Sequence, residues 1–376
     1  MYKNPLKQLE SLGQSIWLDY IRRDLIVSGE LHNLIENDGL RGMTSNPAIF
    51  EKAISESNLY TNDIRTLSYS GKDVREIYEE ISQADIKMAA DTFKPVFEKT
   101  NGKDGYVSLE VNPHFARNTE ATLEEARRLW KALNRPNVFI KVPATKEGLP
   151  AIKQLISEGI NINVTLIFGL PRYREVFDAY LSGLELRVAR NEPVDTVTSV
   201  ASFFLSRIDV LADPILEAFA KNGSNKADLA KWMQGQVAIA SAKVAYQMYK
   251  KALTSSRFKE LQKHGARMQR LLWASTSTKN PEYNDLKYVE PLIGTDTVNT
   301  VPPETLNAYR DHGKPAALTI EDHLEQAYQV MHNLQELGID IDKLTQHLED
   351  EGIEKFDKPF DKLMDTLSKA SMHYTV

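Results

Sequence analysis

NVFIKVPAT (137–145) is a short apolar run of β-forming residues with one lysine, Lys141, in its middle and Pro143 close behind. The run has the length of a buried strand. An ammonium near the C-terminal end of such a strand is costly unless it is paired or discharged. Burial disfavours the charged form, so the amine spends more time neutral and nucleophilic. That is the state a Schiff-base lysine requires. The structural alternative is a lysine whose stem lies in the core while its ammonium snorkels to solvent.

Working outward, the same pattern recurs along the chain: an apolar run, a turn, then a segment with helical periodicity. Strands are expected at SIWLDYI (15–21), within LRGMTSNPAIF (40–50), and at GYVSLEVNP (105–113), NVFIKVPAT, INVTLIFG (162–169), TVTSVASFF (196–204), RLLWAS (270–275) and TVNTVP (297–302). Between them lie helical patterns, beginning with one over 22–38 that stops near Gly39. The second strand is expected to run into a loop at Asn46-Pro47, because a residue before proline is pushed toward extended geometry. Strands alternating with helices indicate a parallel sheet. Eight such units, with no GxGxxG or GxxxxGK at a strand end, fit a closed (β/α)8 barrel better than an open nucleotide-binding sheet. The expectation is a single barrel domain over 1–376. It carries helical insertions near 58–99 (broken at Ser70-Gly71) and 226–264, and a C-terminal segment, 319–376, of three helices separated by Gly338 and Gly352.

Composition narrows the function. The chain has 376 residues, 42% hydrophobic and 26% charged, which is ordinary for a globular protein with a large core. A net charge of −6 argues against nucleic acid as a partner. No cysteine is present, so disulfides, thiolate metal sites and a thiol nucleophile are excluded, and a reducing compartment is the natural setting. The N-terminus has no apolar core of a signal peptide, and no run approaches the ~18 apolar residues of a membrane span. A cytoplasmic protein with no membrane partner is expected. The NVT at Asn163 and NGS at Asn222 match a glycosylation pattern that carries no weight without export. The 8 histidines form no HExxH or carboxylate-spaced pattern, so no metal site is expected.

In a (β/α)8 barrel the active site lies at the C-terminal ends of the strands. Polar residues collect there: Asp19, Asn46, Glu110, Lys141, Thr165 and Ser202, one from each of the first six strands. One polar strand end is ordinarily a turn-former or a helix cap. Six of these types, one of them a lysine in an apolar strand, suggest carbon–carbon cleavage through an imine. Lys141 attacks a ketone, and the protonated imine accepts the electron pair of the breaking bond. Glu110, with a water held by Thr165, suits the proton transfers at the carbinolamine. Asp19 suits removal of the hydroxyl proton at the scissile bond. Two carboxylates on different strands can be tuned to different tasks. After the sixth strand, Ser202 and Arg207 suit a phosphate, the alternative being that Arg207 pairs with Asp209. Lys279, in STSTKNP after the seventh strand, is a second basic group for the same rim. The tyrosines and methionine of AYQMYKKAL read as a packed helix face, and the mixed-charge run HLEDEGIEKFDKPFDK (347–362) as a solvated helix surface.

GMTSNPAIF, SLEVNP, VFIKVPAT, INVTLIF, SFFLSRID and LLWASTSTKNP, in this order, resemble the strand-end motifs of the transaldolase family, most closely its longer subfamily with extra helices. The resemblance implies a Schiff-base mechanism without metal or organic cofactor. Lys141 would be the imine lysine, Glu110 and Thr165 the managers of the catalytic water, and Asp19 the acid/base. Asn46 and Asn163 would hold the dihydroxyacetone hydroxyls, and Ser202 and Arg207 the sugar phosphate. The implied reaction moves a three-carbon unit from sedoheptulose 7-phosphate to glyceraldehyde 3-phosphate, giving erythrose 4-phosphate and fructose 6-phosphate in the non-oxidative pentose phosphate pathway. Many members carry an arginine in a Ser-Phe-Arg-Asn loop after the seventh strand, where this chain has Lys279. An aldolase releasing free dihydroxyacetone shares the same strand chemistry, and a barrel with a dead site that only binds sugar phosphates is the non-enzyme alternative.

Overall fold

The eight apolar runs become eight parallel strands: β1 (Gln14–Asp19), β2 (Gly42–Thr44), β3 (Tyr106–Glu110), β4 (Val138–Pro143), β5 (Ile162–Ile167), β6 (Ser199–Phe204), β7 (Arg270–Ala274) and β8 (Thr297–Val301). They hydrogen-bond in sequence order, and β8 returns to β1, so the sheet closes into a barrel. The computed structural model describes residues 4–221 and 226–372; Asn222 lies outside them. Almost every strand residue is buried, as parallel strands covered by helices require.

Side chains alternate along a strand, so every second residue points into the barrel and stacks in layers. The lowest layer is polar: Arg270 donates to Asp104 at 3.0 Å and to the Ser15 hydroxyl at 2.6 Å, and Ser15 donates to Asp104 at 2.7 Å. Above it Trp17 stacks on Phe139, with ring centroids 6.1 Å apart, and Phe139 on Tyr106 at 4.3 Å. Gly42 makes room for this aromatic layer, because a Cβ there would lie 2.5 Å from the Trp17 ring. Above this layer the inward residues on β1, β3 and β4 are Asp19, Glu110 and Lys141. Their height is set by register, with Glu110 opposite Lys141 and Pro143 opposite Thr165.

β5 is irregular where it meets the site. Its register against β6 shifts between Val164 and Ile167, and Leu166 adopts a left-handed backbone at φ 60. The irregularity falls at Leu166, just past the site: Thr165 is still in regular register with β4, opposite Pro143.

Several helices differ from the sequence expectation. The 22–38 pattern is two helices, Arg23–Val27 and Glu30–Asp38, broken at Gly29 with φ 83. Asn46-Pro47 is not a loop: Asn46 caps the helix Pro47–Ser55 by accepting from the Ile49 N–H at 3.0 Å. Asn has few better positions than a helix N-cap, and Pro suits the first turn because no N–H is needed there. The 58–99 segment breaks at Gly71 as expected and then forms one long helix, Val74–Lys99, started by a capping box of Asp73 and Glu76. The 226–264 segment is three helices, Ala227–Met233, Val237–Leu253 and Ser256–Lys263. Tyr246 and Tyr249 of the middle one are buried, as its packed-face reading requires.

The C-terminal segment departs most. After a 3-10 turn at Thr319–Glu321 and the helix Leu324–Glu336, a single helix, Ile341–Met372, runs straight through Gly352. Gly352 is there for close approach rather than as a break. A Cβ on it would lie 3.1 Å from the Leu166 side chain and 3.5 Å from Phe168. The helix therefore lies directly over the C-terminal end of β5.

Candidate active site

The strand ends open into a cavity of about 720 Å³, a size typical of small-molecule sites. Seven of the nine residues expected from the sequence line it: Asp19, Asn46, Lys141, Thr165, Ser202, Arg207 and Lys279. Glu110 lies under the amine instead of on the wall. Asn163 is fully buried behind Ser202, accepting from its hydroxyl at 2.7 Å and donating to Ser108 at 3.1 Å. The structure thus does not bring Asn163 to the cavity; it holds Ser202 from below. A strand-end asparagine and a cavity-lining one look alike in sequence, and Asn163 is one inward position below Thr165 on the same face of β5.

Lys141 is 5% exposed at the cavity floor, so its ammonium does not snorkel. Nor is it left in a purely apolar setting. Its Nζ donates to the Ser45 carbonyl at 3.2 Å and lies 3.4 Å from Glu110 Oε2, within ion-pair reach but long for a hydrogen bond. The cost of burying it is offset by pairing. Burial pushes the Glu110 carboxyl up to about 7; the Lys141 ammonium pulls the other way, and Asp19 adds to the rise. Neither Glu110 oxygen has a hydrogen-bond partner, and the buried Thr165 hydroxyl has none either.

Burial also raises Asp19, opposed by the Lys141 ammonium and by the hydrogen bond Thr44 donates to its Oδ1 at 2.7 Å. The Thr44 hydroxyl is shared with that of Thr300, 2.7 Å away, which fixes the carboxylate against the β1–β8 wall. The site therefore holds two carboxylates with raised pKa around one amine, an arrangement suited to passing protons near neutral pH.

At the β6 side Arg207 forms no ion pair among the described residues, and its Nη1 is buried without a partner. Burial holds its guanidinium below the usual value, opposed by Glu351 and Asp19. The alternative pairing with Asp209 is overturned. Asp209 accepts from Tyr288 and the Ala238 N–H at 2.8 Å each, and Lys287 lies 3.5 Å away. Lys279 is exposed on the same rim and donates to Ser277 at 2.6 Å. An unpaired, half-buried guanidinium beside a hydroxyl and a lysine has the chemistry to suit a dianion.

Sequence reasoning missed the fourth wall of the cavity. Phe356, Lys358, Pro359 and Lys362 come from the C-terminal helix, whose charged run had read as a solvated surface. One face of that run is buried: Glu349 at 5%, Phe356 at 5% and Phe360 at 4%. The only signal was the spacing of Gly352, Phe356 and Phe360, an apolar stripe at helical period. Among the described residues no group of three or more His, Asp or Glu is placed to hold a metal ion, and no helix is long and apolar enough to cross a membrane.

Fold and site together define a class: (β/α)8-barrel enzymes that work on carbonyl compounds through a lysine at the strand ends. A profile of the family described as Transaldolase/Fructose-6-phosphate aldolase matches residues 16–367. The chain is 49% identical over 373 residues to a transaldolase of Trichodesmium erythraeum, covering 98% of each chain. It is 48% identical over 369 residues to transaldolase 2 of a Nostoc species, covering 97% of each. It is 43% identical over 372 residues to a transaldolase of Thermobifida fusca, covering 99% of this chain and all of the other. The protein belongs to the transaldolase/fructose-6-phosphate aldolase family.

Proposed function

We propose that the protein is a transaldolase that moves a dihydroxyacetone unit between sugar phosphates through an imine on Lys141. The donor and acceptor are sedoheptulose 7-phosphate and glyceraldehyde 3-phosphate, and the products erythrose 4-phosphate and fructose 6-phosphate, the non-oxidative pentose phosphate exchange. The observation that carries this is the buried Lys141 amine at a cavity floor, 3.4 Å from a carboxylate whose pKa is raised to about 7.

As the amine attacks the ketose carbonyl, its proton passes to Glu110. The carbinolamine oxygen then leaves as water, protonated by Glu110 through a water held with the Thr165 hydroxyl. Asp19 takes the proton of the C4 hydroxyl, the C3–C4 bond breaks, and its electron pair moves into the iminium to leave an enamine and an aldehyde. The reverse steps on a second aldehyde complete the transfer. Asn46 spends its Oδ1 on the helix cap and keeps its amide N–H groups for the substrate hydroxyls, while Asn163 acts through Ser202. Ser202, Arg207 and Lys279 take the phosphate.

We take the whole of 1–376 as one barrel domain with the helical additions noted above, supported by a single hydrophobic cluster that runs from Leu6 to Leu367. The net charge of −6 disfavours nucleic acid as a partner, and the cysteine-free composition agrees with a cytoplasmic setting.

Borohydride added with fructose 6-phosphate is expected to trap a covalent three-carbon or six-carbon adduct on Lys141, read by peptide mass mapping. An adduct on another lysine, or none, rejects the assignment. Arg207→Ala is expected to raise KM for phosphorylated ketoses roughly 10- to 100-fold, the worth of a charged hydrogen-bond pair, with little change for unphosphorylated dihydroxyacetone. Equal loss on both would make Arg207 structural. Release of free dihydroxyacetone as fast as transfer would favour the aldolase reading, which the family's description also contains.

A further inference from the structure

Phe356 sits on the one cavity wall that the steps above do not use. Gly352 lets the C-terminal helix settle against Leu166 and Phe168, and Phe356 follows one turn later on the same face. Its ring centroid is 5.5 Å from Lys141 Nζ. The helix that carries it is tied to the segments that follow three different strands. Arg172 after β5 binds Glu349 at 2.9 Å, His114 after β3 contacts Asp361 at 2.7 Å, and Glu51 after β2 pairs with Lys362 at 2.9 Å. Phe360 adds an edge-on contact to Tyr78 at 5.6 Å. The phenyl ring is thus a fixed roof over the amine.

A roof matters most after cleavage, when the three-carbon unit waits on Lys141 as an enamine. It has two exits. In transfer, its nucleophilic carbon bonds to the carbonyl carbon of an incoming aldehyde, the electron pair leaves the enamine, and the aldehyde oxygen takes the proton held by Asp19. In release, the same carbon takes a proton from solvent. Water then adds to the resulting iminium carbon, and the C–N bond breaks to free dihydroxyacetone and the amine. The water consumed equals the water lost when the imine formed, so net release converts fructose 6-phosphate to dihydroxyacetone and glyceraldehyde 3-phosphate.

We propose that Phe356 is a specificity-determining residue, which keeps solvent off the Lys141 adduct and so sets the partition between transfer and release. A ring in this place excludes water by volume, and its face also favours a cation over it. The second effect holds the iminium against hydrolysis. The inference rests on the imine reading of Lys141 and names a residue far from every strand-end motif.

The test compares the full-length protein with Phe356→Ala and Phe356→Leu. Dihydroxyacetone freed from fructose 6-phosphate alone is measured against transfer from it to erythrose 4-phosphate, and borohydride adducts are mapped in each variant. The ratio of release to transfer is expected to rise roughly tenfold or more in Phe356→Ala, and by less in Phe356→Leu, which keeps volume without the ring. If the alanine variant does not fold, the leucine variant is judged by the same ratio against wild type. An unchanged ratio with a normal Lys141 adduct overturns the proposal and leaves the imine reading standing, as does an equal fall in both activities. No adduct on Lys141 in the wild-type protein ends both.

Discussion

Lys141→Met is expected to lose transaldolase activity by a factor on the order of 10⁵ or more, as removal of a covalent nucleophile does when nothing nearby can replace it. Methionine matches the stem in length and apolar character, so the floor of the cavity stays filled. The change removes the one cation that opposes the burial of Glu110, whose carboxyl then rises further and stays protonated at neutral pH. A neutral acid in place of a buried ion pair keeps the cost to the fold modest. The measurement is a coupled assay of aldose formation, run beside a thermal melt. Residual turnover above a few per cent in a well-folded variant would show that the reaction does not pass through this amine.

The second large effect is expected at Glu110. Its carboxyl titrates near 7 because burial outweighs the pull of Lys141. In the ionised form it can take the proton of the Lys141 ammonium; in the protonated form, with the site carrying one more proton, it cannot. The rate is therefore expected to rise as pH increases through about 7 in the wild-type protein. Glu110→Gln keeps the shape and cannot titrate, so this rising limb should disappear. The rate should also fall roughly 10²- to 10⁴-fold, the usual worth of a positioned acid/base. A variant that is slow but keeps the limb would assign the titration to Asp19, whose pKa burial also raises. Imine formation, followed by borohydride trapping over time, should slow in step with turnover, because the missing proton transfer precedes cleavage.

Much of the barrel was legible because its strands are short and apolar and repeat at intervals set by connecting helices. Lys141 stood out because a cation interrupts one of those runs. Asp19, Glu110 and Thr165 followed from strand ends, and the register of Glu110 opposite Lys141 confirms that the spacing from each strand start carries information. Local rules failed where two signals compete. Asn46-Pro47 looks like a turn and is a cap followed by a first helical turn, since both uses satisfy the same backbone constraint. Gly352 looks like a stop and is a contact point, because the ~1 kcal/mol that glycine costs a helix is outweighed when the missing Cβ lets two elements touch.

The amino-acid sequence on its own determined the closed α/β class, the lysine and the carboxylates around it, because periodicity and buried charge are properties of a few neighbouring residues. The tertiary structure decided which groups face the substrate space: Glu110 under the amine, Asn163 behind Ser202, and Phe356 above Lys141. Those placements join positions up to 215 residues apart through the register of neighbouring strands and the helix laid across the end of β5. No local pattern records such a distance, because it is set only when the ring of strands closes and its surface is packed.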